Sequence, residues 1–482
     1  MIEIKNSSIV IHDYNLGDCE KLEKSLSHWD SVRFMVDYQI FLYNEEEKTL
    51  TIPGGYDTGY LSYLFPDKKI YYNTEKVPSM FLSYKMNAEP RDELQKDCID
   101  FALGEGKYKN TANYSQKMIC MDTGKGKSYS MVNIISKIKK KAIICCDQNR
   151  LMDQWKDENF LKFTNLKEKD IYFISGSSSI TKILKKETDL PYKIFIASYR
   201  TISSYAEKHG WKAITELFNK IKVGVKVYDE AHVDIRNIFM IDMITNVPMN
   251  FYLTASPGRS DPKENTLYQR AFKEVPVFGK TQQKAKDDRY LNTVFVNYNS
   301  YPSELQQAKC TNRYGFSVND FYHYVFDNDD KLIQFLKIIK KIMDLCINKK
   351  GKIAILVHNI EHVEVLQEFL SEIYPDKEIG LFYSKIKKEL LKNELEKKII
   401  ISTDKSLGKA IDIPNLRFLI STIPTSSDIV LHQISGRLRK LPDREVMYFD
   451  LTDIGFHACK AQQKKRKAYM RHRAKTIKQL DL

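Results

Sequence analysis

Met121-Asp122-Thr123-Gly124-Lys125-Gly126-Lys127-Ser128 stands between a short apolar run, Met118 to Met121, and a longer helical pattern, Tyr129 to Ile138. That order predicts a buried strand, a glycine-bearing loop and a helix. The two glycines let backbone N–H groups turn inward, and the helix start adds a favourable partial positive charge. Such a loop suits phosphate groups. Thr123 to Ser128 would surround them, Lys127 would reach the β- and γ-phosphates of a nucleotide, and the Ser128 hydroxyl would ligate Mg2+. The full pattern has glycine where Met121 stands, and a lysine-rich turn before a helix is the plain alternative.

Outward from this stretch, apolar runs of strand length alternate with longer helical patterns. Ala142–Cys146, Ile194–Ser198, Val223–Tyr228 and Phe251–Thr254 are the next strand candidates. A polar, charged segment follows at Lys280 to Arg289. The alternation then resumes with Ile353–Val357, Ile399–Ser402 and Phe418–Ser421. Alternating strands and helices predict a parallel sheet covered on both faces, so residues 89–285 and 286–482 read as two α/β domains in tandem. Residues 1–88 differ. They are rich in Tyr, with alternating runs at Tyr38–Tyr43 and Thr49–Ile52 and turn signals at Pro53-Gly54-Gly55 and Pro66-Asp67. A small β-containing accessory domain is expected there, with substrate recognition as its candidate role.

About a hundred residues after the loop comes Lys222-Val-Gly-Val-Lys-Val-Tyr-Asp229-Glu230-Ala231-His232. An apolar strand here delivers two carboxylates to its C-terminal end, where ligands bind in open α/β sheets. Asp229 would hold Mg2+ through its coordination shell, and Glu230 would orient an attacking water. His232 is placed to couple this site to its neighbours; taken by itself, a satisfied core or surface histidine is as good a reading. A third element, Tyr252-Leu-Thr254-Ala255-Ser256-Pro257, ends a strand in small hydroxyl residues. Thr254 and Ser256 can hydrogen-bond near the carboxylate pair, or simply close the strand before Pro257.

Composition bounds the partners. Lys plus Arg is 76 against 62 Asp plus Glu, a net charge of +14, which favours a polyanion without fixing one. Part of the excess sits in a basic tail, Lys464-Lys-Arg-Lys467 through Arg471, Arg473, Lys475 and Lys478; phosphate grip and a solvated surface helix fit it equally. The eight cysteines form no CxxC pair and no metal-ligand spacing, so buried free thiols in a reducing cytoplasm are expected, with no structural zinc. No signal-peptide pattern begins the chain and no apolar stretch approaches about 18 residues, so no membrane span is expected.

The three motifs, in this order and spacing, resemble those of superfamily 2 helicases of the Asp-Glu-Ala-His type. Further residues carry the likeness. Pro90 and Gln95 stand where the family places its adenine-reading glutamine. Arg150, Leu151 and Gln154-Trp155 match the first nucleic-acid-binding motif, with Asp147 replacing its usual proline. Ser198-Tyr-Arg-Thr201 matches the next backbone-contacting motif, through Thr201. Val357-His358-Asn359 resembles the fourth motif. Ser402-Thr403 through Gly408-Lys-Ala410-Ile-Asp412-Ile-Pro414 resembles the fifth, which implies a phosphate contact for Thr403 and a ribose contact for Asp412. Gln433-Ile-Ser-Gly436-Arg437-Leu-Arg439-Lys440 resembles the sixth, whose arginines meet the triphosphate from the second domain, with Gln433 in a coupling role. The family's last arginine falls on Lys440. On a helix one residue is a rotation of roughly 100°, so Arg439 would not replace it simply; Arg437 plus Arg439 are the expected pair.

The resemblance covers residues 89 to 455. It implies two RecA-like domains, ATP and Mg2+ as ligands, and a catalytic set of Lys127, Asp229, Glu230, Arg437 and Arg439. Chain length, the small N-terminal region and the Glu-Pro-x-Gln arrangement look most like UvsW-type phage helicases, with XPB-like and poxviral transcript-release helicases next. The implied activity is ATP-driven movement on DNA with remodelling of forks, Holliday junctions and R-loops. The implied partner is single-stranded or branched DNA, with RNA as the alternative, in the cytoplasm (of the host, for a viral chain); no residue fixes the oligomeric state, for which a monomer is favoured. The alternatives are an RNA helicase or transcript-release factor, a DNA-binding or annealing protein with weakened ATPase, and a non-motor P-loop kinase. The last leaves the second-domain motifs without a purpose.

Overall fold

The computed structural model describes residues 1–30, 35–73, 79–122, 124–147, 149–255, 258, 262–279, 289–312, 315–407 and 413–482. The chain divides into two compact units, Met1–Thr281 and Gln282–Leu482.

The first unit is built on a seven-stranded sheet whose order is Ile171–Ile174, Ile194–Ser198, Ala142–Cys146, Val225–Tyr228, Met249–Thr254, Gln116–Cys120 and Val277–Phe278. Every neighbouring pair is parallel. The central strands are buried on both faces, which is why they read as unbroken apolar runs and not as alternating ones. Gln116–Cys120 and the next strand in sequence, Ala142–Cys146, are held apart by Val225–Tyr228 and Met249–Thr254, which arrive later. A crevice opens beyond the strand ends where the order reverses in this way. The flanking helices start on side-chain caps: Asp92 accepts from the Gln95 N–H at 3.0 Å, and Asp234 from the Asn237 N–H at 3.3 Å.

The N-terminal residues add a second sheet to this unit, in the order Leu42–Asn44, Thr49–Pro53, Ser8–His12, Ile2–Ile4 and Ile70–Tyr72. Its apolar side chains join the same buried cluster as the larger sheet's helices. Polar ties fix the seam: Ser7 Oγ donates to the carbonyls of Asp242 and Thr245 at 2.9 and 2.8 Å. The run Tyr38–Tyr43 is not one strand. Met35–Gln39 pairs with Ser27–Asp30, and Leu42–Asn44 enters the five-stranded sheet. Ile40 and Phe41 are both buried at the break, and consecutive strand residues cannot bury on one face.

The second unit repeats the first plan: Ile379–Phe382, Ile399–Thr403, Lys352–Val357, Leu416–Ser421, Val446–Asp453, Leu291–Tyr298 and Ala474–Asp481, again with parallel neighbours. Two seven-stranded parallel sheets with covering helices make the tandem RecA-like architecture expected from the sequence. The basic tail, however, is no tail. Its first part is the helix His457–Arg471, and its last part is the edge strand Ala474–Asp481. The reason is Arg466. It is buried on the inner face of that helix, where Nε and Nη2 grip both oxygens of Asp450 at 2.8 and 3.0 Å. Breaking such a pair leaves an uncompensated charge indoors.

No helix among the described residues is long and apolar enough to cross a membrane.

Candidate functional site

The glycine-bearing loop lies at the C-terminal end of Gln116–Cys120. Gly124 and Gly126 both take positive φ, 80° and 87°. A Cβ at Gly126 would stand 2.1 Å from the Gln95 amide nitrogen, so the position requires glycine on both counts. Gly126 also caps the helix Lys127–Ile138, with no side-chain cap hydrogen bond among the described residues. Lys125 is exposed, and Ser128 is half-buried in the first turn. Thr123 lies outside the described residues.

Gln95 is buried against this loop. Its amide donates to the Lys125 carbonyl at 3.2 Å and its oxygen accepts from the Arg91 N–H at 2.8 Å. In this state it braces the loop with both ends of the amide.

The carboxylate pair follows Val225–Tyr228, in mid-sheet. Backbone bonds align the strand ends: the Asp229 N–H donates to the Cys145 carbonyl, the Ala231 N–H to Leu253, and the Met121 N–H to Thr254, at 2.9, 2.9 and 3.1 Å. Lys127, from the other side of the Met249–Thr254 strand, brings Nζ to 3.9 Å from Glu230 Oε1. Glu230 holds φ at +50°, a left-handed conformation that non-glycine residues rarely adopt. Such strain recurs at functional sites. His232 Nδ1 shares a 2.9 Å hydrogen bond with Thr254 Oγ1 and stands 3.4 Å from Glu230 Oε2. The chain Thr254–His232–Glu230–Lys127 therefore links three of the sequence motifs. Ser256 and Pro257 lie outside the described residues.

Asp229 is buried, and its carboxyl is raised to about 6. Burial is the main cause and the neighbouring Glu230 charge the second; Lys127 and the Trp155 indole pull the other way. Trp155 Nε1 donates to Asp229 Oδ2 at 2.9 Å, and the Glu230 N–H donates to Oδ1 at 3.0 Å. The sequence reading had Trp155 only as part of a nucleic-acid motif. Its indole faces the acid pair, at the start of a π-helical stretch, Trp155–Leu161, that continues the helix Asn149–Gln154. Asn159 Nδ2 also donates to the Gln154 carbonyl at 3.0 Å.

Asp147, standing where the motif has proline, also finds a use. Its carboxylate lies 2.7 Å from Arg200 Nη2 and ties the first nucleic-acid motif to Ser198–Thr201. Thr201 is half-buried in the first turn of Tyr199–His209. The Arg150 side chain lies outside the description.

In the second unit, the strand Lys352–Val357 delivers His358, whose Nε2 bonds Asn319 Oδ1 at 2.8 Å. Thr403 is buried at the end of its strand and donates to Ser406 Oγ at 2.9 Å. Gly408 to Asp412, with the expected ribose contact, lie outside the described residues. The helix Asp428–Ser435 carries Gln433 half-buried and ends at Gly436. Arg437 is buried, Arg439 half-buried and Lys440 exposed, all beyond that helix end. The 100° rotation expected between Arg439 and Lys440 does not apply, since neither sits on a helix.

The donors present suit a magnesium nucleotide. A half-compensated buried carboxylate gains from a nearby cation, and free helix N–H groups gain from phosphate. Among the described residues no three His, Cys, Asp or Glu cluster as a metal cage. A cavity of about 920 Å³ lies elsewhere, between the N-terminal sheet and the helices bearing Trp211 and Met243, and shares no residue with this site.

Residues 88–259 match the family model described as "Type III restriction enzyme, res subunit". The transcript termination protein A18 of Yaba monkey tumor virus is 22% identical over 351 residues, covering 69% of this chain and 66% of its own length. The chain thus spans about two thirds of that viral protein. The TFIIH helicase/translocase subunit XPB of Encephalitozoon cuniculi is 28% identical over 177 residues, 36% of this chain and 24% of that one. Among solved structures, S. cerevisiae Dbp5 bound to RNA and ADP BeF3 aligns over 81% of this chain and 89% of its own, at 11% identity and a TM-score of 0.52. T4 UvsW aligns over 100% and 99%, at 16% identity and a TM-score of 0.36.

Proposed function

We propose that this superfamily 2 helicase, with relatives of the A18, XPB and UvsW kind, hydrolyses ATP to move along DNA and remodels branched DNA, in the cytoplasm. The observation that carries the reading is the convergence of Lys127 and His232 on Glu230 at one set of strand ends, with Thr254 behind His232 and the buried Asp229 beside Glu230.

ATP is the substrate, and its Mg2+ would screen phosphate charge and lie against Asp229 and Ser128. Lys127 and the N–H groups after Gly126 bind the β- and γ-phosphates, and Gln95 exchanges one of its loop bonds for the adenine edge. Glu230 orients the attacking water and takes up its proton. Its approach to Lys127 in this state is a resting pair, opened when phosphate claims the lysine. His232 passes the state of Glu230 to Thr254, at the end of the neighbouring strand Met249–Thr254. The resemblance further implies a role in turnover for Arg437 and Arg439 and a ribose contact for Asp412. Thr201, Thr403 and Arg150 grip backbone phosphates, which makes binding salt-sensitive and independent of sequence.

DNA is preferred here because the motif set in the sequence resembles that of helicases that remodel branched DNA. The poxviral match favours a second reading, a transcript-release factor acting on an RNA-containing complex. Unwinding of a forked DNA, a Holliday junction, an R-loop and an RNA duplex, each with and without ATP, separates the two. Activity on the junctions supports the first reading. Activity confined to RNA duplex overturns it.

A further inference from the structure

Between His457 and Leu480 the chain carries nine Lys and Arg and no Asp or Glu. The fold sorts these charges. Arg466 is consumed inside by Asp450, Arg473 Nη1 lies 2.6 Å from His432 Nδ1, Lys467 Nζ donates to Gln479 at 2.8 Å, and Lys475 lies 3.7 Å from Glu445. What remains is Lys460, Lys464, Lys465, Arg471 and Lys478, all exposed. Among the described residues none of these five has a carboxylate within 4.0 Å.

We propose that the outward face of the helix His457–Arg471, with Lys478 on the adjoining edge strand, is an accessory binding site for nucleic-acid backbone. It rests on the nucleic-acid reading above and lies apart from the residues named there. Three observations argue for it. The opposite face of the helix (Cys459, Gln463, Arg466 and Met470) is buried, so the charges stand on a rigid mount. Lys460 and Lys464 lie one turn apart, about 6 Å along the axis, so neighbouring lysines can engage separate phosphates. A membrane surface suits the helix poorly, because helices that lie in a bilayer need an exposed apolar face, and this helix spends its apolar residues on the protein core. The mount also touches the sixth motif: Tyr469 OH and Arg473 both reach His432, next to Gln433. Backbone bound on this face would steady the helix that leads to Arg437.

The test is the triple variant Lys460→Gln, Lys464→Gln, Lys465→Gln, read by fluorescence anisotropy on a dT oligonucleotide and on a DNA duplex from 50 to 300 mM NaCl. Affinity should fall at least tenfold at 100 mM NaCl, and the slope of log K against log[salt] should lessen by about 2 to 3. The substrate that loses more shows which backbone form the face prefers. The corresponding triple Lys→Arg variant should keep wild-type affinity, and ATPase activity without DNA should be unchanged in both. Wild-type affinity and slope in the Gln variant would overturn the proposal. So would unchanged DNA binding with lost binding to phosphatidylserine vesicles or to an acidic peptide. If the wild type binds no nucleic acid at all, the functional reading itself fails, which is a different result.

Discussion

Replacing Trp155 by Phe removes one donor from Asp229 and leaves the rest of its surroundings in place. The bond is a 2.9 Å contact to a carboxylate buried at the strand ends. Hydrogen bonds to charged groups contribute roughly 1.5–3 kcal/mol, and each pKa unit corresponds to about 1.4 kcal/mol. Losing the indole should therefore lift the Asp229 carboxyl by about 1–2 units, from about 6 to about 7–8. The sign follows from which form the donor favours: the indole N–H stabilises the carboxylate, so its removal favours the acid. In kcat/KM for ATP measured from pH 5.5 to 9, the acid limb should move up by at least one unit. At pH 7 activity should fall about fourfold, and near pH 9 it should approach wild type. A loss of equal size at every pH would mean that Trp155 acts through packing alone. An unmoved acid limb would refute the role given to Asp229. Because the folded carboxyl already lies above its unfolded value, its ionisation costs stability as pH rises from about 4 to about 6. The Phe variant extends that cost toward pH 8, visible as a melting temperature that drops more steeply over that range than in the wild type.

Three further substitutions test other parts of the account. Gly126→Ala places a methyl against Gln95 at a φ of 87°, a conformation that costs an alanine about 1–2 kcal/mol, and nucleotide affinity should fall at least tenfold by equilibrium titration; unchanged affinity would count against the loop as the phosphate site. Arg437→Ala should lower kcat by two orders of magnitude or more while ATP affinity changes little, since it is proposed to act on charge that develops in the transition state; a change in affinity alone would count against it. Lys226→Met strips the partner from Asp242, 2.6 Å away in a fully buried pair that also holds the Tyr228 and Tyr252 hydroxyls. It should destabilise the first unit by about 3–5 kcal/mol in denaturant melts, and a loss under 1 kcal/mol would show that the network relaxes freely.

The sheet strands were legible because parallel strands buried on both faces leave unbroken apolar runs; Ala142–Cys146 and Ile194–Ser198 fall where that rule puts them. The edge strand Ala474–Asp481 was not, since only Ala474 is buried along its length and its lysines read as part of a basic tail, for phosphate grip or as a solvated helix. Edge strands are charged for good reason, as bare edges invite other chains to pair. In the candidate site, Lys127, Asp229 and Glu230 announced themselves because phosphate and metal chemistry demands those types at those spacings. Trp155 and the Asp147–Arg200 pair did not. Their partners lie 74 and 53 residues away in sequence, and neither local pattern nor propensity records a contact across that distance.

ATP hydrolysis with and without DNA, in the wild type and in Lys127→Ala and Glu230→Gln, decides whether this chain is a nucleic-acid-driven ATPase. The account predicts DNA-stimulated turnover in the wild type, its loss in both variants, and salt-dependent DNA binding that survives in both. Full hydrolysis in either variant, or wild-type hydrolysis that ignores nucleic acid altogether, would contradict it.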